Sequence, residues 1–209
     1  MELVNKFIKI QKILKPDIVI EIGAYDAEFS QMCIEQEICN DVHAFEASPY
    51  VYNNFKEYLN KNIKYKNIAI GDYDGTVSFQ LKKDTDFDIA RSNSIHKNIF
   101  RHTKYETCNV EIHKIDTIFK NITNTCLWID VEGANKEVLS GASNTLENTQ
   151  SILIETEKNL IWKNQWLHDD VFIFLNKKGF SMIDRKFQGS KQSNCIFVRN
   201  DLLDMINDI

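Results

Sequence analysis

The sequence predicts a doubly wound α/β fold built on a mostly parallel sheet, and three observations carry that prediction. Short apolar runs alternate with stretches of helical period along the chain, the rhythm that lays helices on both faces of a parallel sheet. Four of the apolar runs end in a carboxylate, at Glu21, Glu46, Asp130 and Glu155. Two of those four turn on a glycine directly afterwards, at Gly23 and Gly133. In such sheets ligands bind outside the carboxyl ends of the strands, so four acids at matching ends describe one negative rim.

Each element follows from local pattern. Val4, Phe7, Ile8, Ile10 and Leu14 make an apolar stripe ahead of Pro16, which predicts a leading helix within residues 1–16. Residues 18–22 are apolar enough for a strand buried on both faces. Phe29, Met32 and Cys33 recur at helical spacing, and residues 42–45 form the second strand. Val51, Phe55, Tyr58 and Leu59 stand at i, i+4, i+7 and i+8 behind Pro49, an amphipathic helix. Residues 63–70 read as a third strand, and Asp74-Gly75 as a tight turn into a strand over 76–81. Residues 82–108 are polar with scattered aromatics, a length that predicts a lid or substrate loop. Order resumes with a short strand at Val110 and Ile112, then a helix carrying Ile115, Ile118, Phe119 and Ile122. A strand over 126–129 leads to a helix marked by Val138, Leu139, Ala142 and Leu146. A strand over 151–157 leads to a helix with Leu167, Val171, Phe174 and Leu175, closed by Gly179. Residues 180–183 and 195–198 finish as an antiparallel hairpin at the sheet edge.

Composition narrows the function. The 209 residues suit one α/β domain. A net charge of −5 with dispersed lysines argues against a general electrostatic grip on nucleic acid. Cys33, Cys39, Cys108, Cys126 and Cys195 form no C-x-x-C pair and are odd in number, which fits a reducing, cytoplasmic setting. No metal-ligand spacing appears among Cys and His. The start of the chain has no signal-peptide pattern, and no stretch approaches the ~20 apolar residues of a membrane span.

Strand, glycine turn, helix, strand and acid is the arrangement that holds an adenosine, with the second acid accepting from the ribose hydroxyls. The first turn here reads Glu21-Ile-Gly23 and lacks the G-x-G-x-x-G that packs a dinucleotide pyrophosphate. A nucleoside without phosphates suits it better, and S-adenosylmethionine is one whose cationic sulfonium matches a negative rim.

The blocks Glu21-Ile-Gly23-Ala24-Tyr25-Asp26, His43-Ala-Phe-Glu46-Ala47-Ser48-Pro49, Asn67-Ile-Ala69-Ile-Gly71, Ile129-Asp130-Val-Glu132-Gly133 and Leu139-Ser-Gly-Ala142 together resemble the FkbM family of methyltransferases. The resemblance runs from about Asp17 to Val198. It implies the class I methyltransferase form of the Rossmann-like fold, a seven-stranded sheet with an antiparallel C-terminal strand, and S-adenosyl-L-methionine as cofactor. It further implies O-methylation of a sugar, glycan or related small-molecule hydroxyl, releasing S-adenosyl-L-homocysteine. Carried over by position, Glu21, Gly23, Ala24, Tyr25 and Asp26 form the loop for the methionine portion. Glu46 is the ribose ligand, Ala47 and Ser48 lie beside the adenosine, and Ala69 flanks the adenine. Ser94 meets the cofactor, and Asp130 and Glu132 sit where acceptor and methyl group meet. Two departures stand out: Ala27 replaces a second glycine, and Trp128 takes a position often held by lysine.

Asp130 is the first candidate for general base, with Glu132 and Glu155 behind it. His168 is a further candidate because it falls in a loop expected to face the substrate. For each acid the plain structural alternative is a helix cap, and for His168 a histidine at a helix start. The rival readings are an NAD-dependent oxidoreductase and a non-catalytic binding protein on the same fold.

Overall fold

The computed structural model describes residues 2–82, 92–100, 104–207 and 209. Helix α1 (Glu2–Leu14) leads into strand β1 (Ile18–Ile22), all five residues of which are buried. Then come α2 (Glu28–Glu35), β2 (Val42–Phe45), α3 (Pro49–Phe55) and β3 (Ile63–Lys66). The chain continues through β4 (Ala69–Ile70), β5 (Gly75–Lys82), β6 (Tyr105–His113) and α4 (Ile115–Ile118). Strand β7 (Thr125–Ile129) is followed by α5 (Asn135–Ser140), α6 (Ser143–Glu147) and β8 (Thr149–Glu157). Last are α7 (His168–Lys177), the hairpin β9 (Phe180–Gln188) and β10 (Gln192–Arg199), and a 3-10 turn over Asn200–Ile206.

Seven strands make one sheet in the order β3-β2-β1-β7-β8-β10-β9. β3, β2, β1, β7 and β8 run parallel, and β10, inserted between β8 and β9, is antiparallel to both. The chain leaves β1 toward β2 on one side and returns to β7 on the other, which places a topological switch between β1 and β7. Two apolar layers cover the sheet. Phe7 and Ile10 of α1 and Phe29 and Cys33 of α2 pack with Cys126, Leu153 and Ile196 on one face. Val138, Leu146, Val171 and Leu175 pack with Ile20, Leu127 and Ile152 on the other. This is the predicted doubly wound sheet with its antiparallel end.

The departures are local. The third strand splits, because Asn67 Nδ2 donates to the carbonyls of Glu46 and Ala47 at 2.8 and 3.1 Å and turns the backbone. Its second half, β4, joins β6 and β5 in a separate three-stranded sheet. Strand β6 begins at Tyr105, so the end of the expected 82–108 loop is sheet, paired across to Lys82. Residues 83–91 and 101–103 of that loop, His102 included, lie outside the described residues. The helix expected across 138–146 is two short ones meeting at Gly141-Ala142, and that expected to reach Ile122 stops at Ile118. No helix of the described residues is long and apolar enough to cross a membrane.

Candidate active site

Strand register builds the site. Glu21, Trp128, Leu153 and Ile196 lie side by side across β1, β7, β8 and β10. Side chains two residues apart on a strand share a face. One step further on, that face therefore presents Gly23, Asp130, Glu155 and Asn194, the last two being register partners. Above this row lies a cavity of about 680 Å³, within the range of ligand sites. It extends from Glu46, Ala47 and Ala69 at one end to Gln188, Gln192 and Asn194 at the other, with Val4 and Asn5 of α1 closing its side.

The glycines at the switch are demanded by close approach. Gly23 has φ +75°, and a side-chain carbon there would sit 1.9 Å from the Asp130 carbonyl oxygen. Gly133, at φ +74°, would meet the Trp162 ring at 2.5 Å. Trp162 is itself buried, and its Nε1 donates to Glu132 Oε2 at 3.3 Å.

The acids at the strand ends divide by their partners. Glu21 is buried, and its Oε2 accepts from the backbone N–H and hydroxyl of Ser30 at 2.8 and 2.5 Å. Burial pushes its carboxyl up to about 8 against those bonds. Glu46 accepts from the backbone N–H of Tyr25 at 2.9 Å and of Ser48 at 2.6 Å, and burial raises it to about 7. Glu132 is raised to about 8 by burial, then by Asp130 and Glu157, with Trp162 and Lys82 opposing. Glu155 is buried, accepts from Gln192 Nε2 at 2.6 Å, and is driven strongly upward by burial, then Asp130, Glu132 and Glu157. Glu157, fully buried, is raised to about 7 by burial, with the Gly133 N–H at 3.0 Å pulling the other way.

The structure gathers most of the predicted residues at one cavity. Glu21, Gly23, Ala24, Tyr25, Asp26, Glu46, Ala47, Ala69, Ser94, Asp130, Glu132 and Glu155 all line it. Ser94 Oγ also donates to the Glu132 carbonyl at 2.5 Å, tying the described part of the 82–108 segment to the end of β7. Two of the expected residues lie outside this lining. Ser48 lines no part of the cavity; its Oγ caps α3 by accepting from Val51 N–H at 3.4 Å. His168 does not face the cavity either. It starts α7, is buried, and its Nδ1 sits 3.1 Å from Thr156 Oγ1, so packing under the sheet takes it out of reach.

Sequence reasoning missed the cavity's other end. Asn5, Gln188, Gln192 and Asn194 line it, as does Trp128. The Trp128 ring stacks on Phe29 at 4.7 Å and 24°. The available signal was Gln192 and Asn194 at i and i+2, on a polar extension of the strand recognised only from Cys195. Among the described residues the lining contains seven carboxylates and no Lys, Arg or His. Among them, too, no group of three or more His, Cys, Asp or Glu is arranged to hold a metal ion.

Comparisons with known proteins agree with this layout. The family model of the methyltransferase FkbM domain matches residues 21–182. No curated protein matches the chain in sequence. Among solved structures, the magnesium protoporphyrin IX methyltransferase of Synechocystis PCC 6803 with bound S-adenosylmethionine superposes with a TM-score of 0.51. Identity is 10%, and 95% of this chain and 76% of that chain are covered. An rRNA methylase from Streptococcus thermophilus gives 0.50 at 7% identity, covering 93% and 96%. A protein of the NADB-Rossmann superfamily from Streptococcus agalactiae gives 0.50 at 11%, covering 91% and 67%. At these identities the likeness is one of fold.

Proposed function

The chain belongs to the FkbM methyltransferase family, and from that premise we propose that it is an S-adenosylmethionine-dependent O-methyltransferase acting on a hydroxyl of a sugar, glycan or related small molecule. The observation that carries the reading is the charge of the cavity: carboxylates crowd the strand ends, with no cationic side chain among the described lining residues. That set fits a ligand bearing an ammonium and a sulfonium, beside which buried carboxyls ionise, and it offers no cation to a dinucleotide pyrophosphate. S-adenosylmethionine is the ligand bound by the Synechocystis methyltransferase of the same fold.

Glu46 has one backbone donor on each carboxylate oxygen, which aims the remaining lone pairs at a ribose edge. Ala47 and Ala69 form the apolar wall for an adenine. Gly23 to Asp26 hold the amino-acid end, and Ser30 fixes Glu21 beneath them. When bound, the cofactor supplies an activated methyl carbon, so alignment and a destination for one proton remain for the protein. With the cofactor held by Gly23 to Asp26 and Glu46, its methyl carbon would be open to an acceptor oxygen over Asp130, and the carbon–sulfur electron pair would leave with sulfur. The hydroxyl proton passes to Asp130. Glu132 and Glu155 are weaker choices, since their raised carboxyls hold protons at neutral pH. Five free cysteines suit a cytoplasmic enzyme.

Calorimetric titration tests the reading. Micromolar binding of S-adenosylmethionine and S-adenosylhomocysteine, with silence from NAD and at least ten-fold loss in Glu46→Ala, is the expected result. Binding of NAD instead, or of neither, overturns it.

A further inference from the structure

Beyond the part of the cavity assigned to the cofactor lies a second lobe, over β7, β8 and β10. With strands about 4.8 Å apart, its centre is roughly 10 Å from the β1 turn. Its floor is Asp130, Glu155 and Asn194, and Gln188, Gln192 and Asn5 surround them. One wall is the Trp128 ring, backed by Phe29.

Acidic side chains tilt the hydrogen-bonding balance of this lobe toward acceptors, beside the amides of Asn5, Gln188 and Asn194. Carboxylates only accept when ionised. Glu155 is 8% exposed and takes Gln192 Nε2, the one amide donor turned inward on it among the described residues. Asn194 Oδ1 is buried without a partner. Buried acceptors left this way are costly unless a ligand brings donors to them. A ligand rich in donors, carrying positive charge and one apolar ring face, meets each of these features.

We propose that the acceptor is a cationic polyol, an amino sugar or aminocyclitol, whose ammonium pairs with Glu155 while its ring lies against Trp128. The proposal rests on the methyltransferase reading for the word acceptor, and on the lobe alone for the ligand chemistry. It also accounts for oxygen selectivity. An ammonium held by a carboxylate keeps its proton and offers no lone pair, so the neighbouring hydroxyl is the nucleophile. The raised carboxyls are consistent with this, because a cation arriving beside Glu155 would displace a proton from it.

The experiment compares four hexoses on protein saturated with S-adenosylhomocysteine and on ligand-free protein. Glucosamine, N-acetylglucosamine, glucose and glucuronic acid differ in charge and share a ring. Calorimetry at pH 7 should find glucosamine at least ten-fold tighter than glucose or N-acetylglucosamine, with glucuronic acid silent. Its heat should change with the ionisation enthalpy of the buffer, reporting proton release. Glu155→Gln should bring the preference below three-fold while leaving S-adenosylhomocysteine affinity within three-fold. Should that variant fail to fold, the comparison of glucosamine with its N-acetyl form in the parent protein decides. Equal affinity for those two, or no binding of glucosamine, overturns the proposal even where S-adenosylhomocysteine binds. Failure of S-adenosylhomocysteine to bind overturns the proposed function instead, and the ligand-free titration still decides the chemistry of the lobe.

Discussion

Ala27 stands in the left-handed region at φ +53°, ψ +40°, and opens α2 with no side-chain cap. A glycine would relieve about 1–2 kcal/mol of strain there. It would also add about 0.4–1 kcal/mol of unfolded-state entropy and forfeit about 0.8 kcal/mol from a fully buried methyl group. These nearly cancel, which is why an alanine is sustained at a turn of this shape. Ala27→Gly should therefore leave stability within about 1 kcal/mol by urea denaturation. Ala27→Val combines a β-branched residue at positive φ with overpacking and should cost about 3 kcal/mol or more. A different residue carries the chemistry. Asp130→Asn keeps shape and removes the proton's destination, so turnover should fall about 10²–10⁴-fold. Cofactor affinity should move much less, and a loss confined to affinity would assign Asp130 to binding rather than to proton transfer.

Among the elements, α1 does more than lead into the sheet. Its Phe7 is fully buried, with ring centroids 5.5 Å from Phe29 and 6.3 Å from Trp128. One aromatic row thus couples α1 to α2 and β7, and the same helix sets Val4 and Asn5 in the cavity wall. Phe7→Ala should cost about 3–5 kcal/mol in chemical denaturation. A change below 1 kcal/mol would show that α1 is not part of the core. Elements of this kind were legible where burial made the pattern continuous. β1, β2, β7 and β8 read clearly because both faces are apolar and each ends in an acid or glycine. The break at Asn67 was not legible, since it depends on carbonyls of Glu46 and Ala47 twenty residues earlier. Only the second half of β6, at Val110 and Ile112, was legible; its first half was hidden because Glu106 and Cys108 sit in a small sheet with little apolar cover. The cofactor end of the site was readable from contiguous motifs. The amide end was not, because Gln192 and Asn194 are placed by the register of β10 with β8, Gln188 by that of β9 with β10, and Asn5 by helix α1 at the other end of the chain.

For the whole molecule, gathering these acids in one place gives stability an unusual pH dependence. Glu21, Glu46, Glu132, Glu155 and Glu157 all have carboxyls raised by burial above the model-peptide value. The native state therefore holds protons that the unfolded chain has released, and stability must fall as pH rises through the native values. Each group contributes on the order of 1 kcal/mol per pH unit between its unfolded and native pKa. Other groups act outside this window. Asp41, Asp74 and Asp184 are lowered, so their contribution is complete well below neutral pH. His43 and His168 are lowered too, and oppose the trend only up to about their unfolded value of 6.5. The buried thiols act in the same direction as the glutamates, but only as pH reaches their unfolded range near 8.5. Between pH 7 and 8.5 the strand-end glutamates therefore decide the slope. The melting temperature of the ligand-free protein should drop by at least about 4 °C across that interval. Glu132→Gln and Glu155→Gln, which cannot ionise, should each flatten the drop. A flat or rising curve in the parent would mean that these carboxyls are already ionised at pH 7, and with that the ground for choosing Asp130 over Glu132 as the base would be gone.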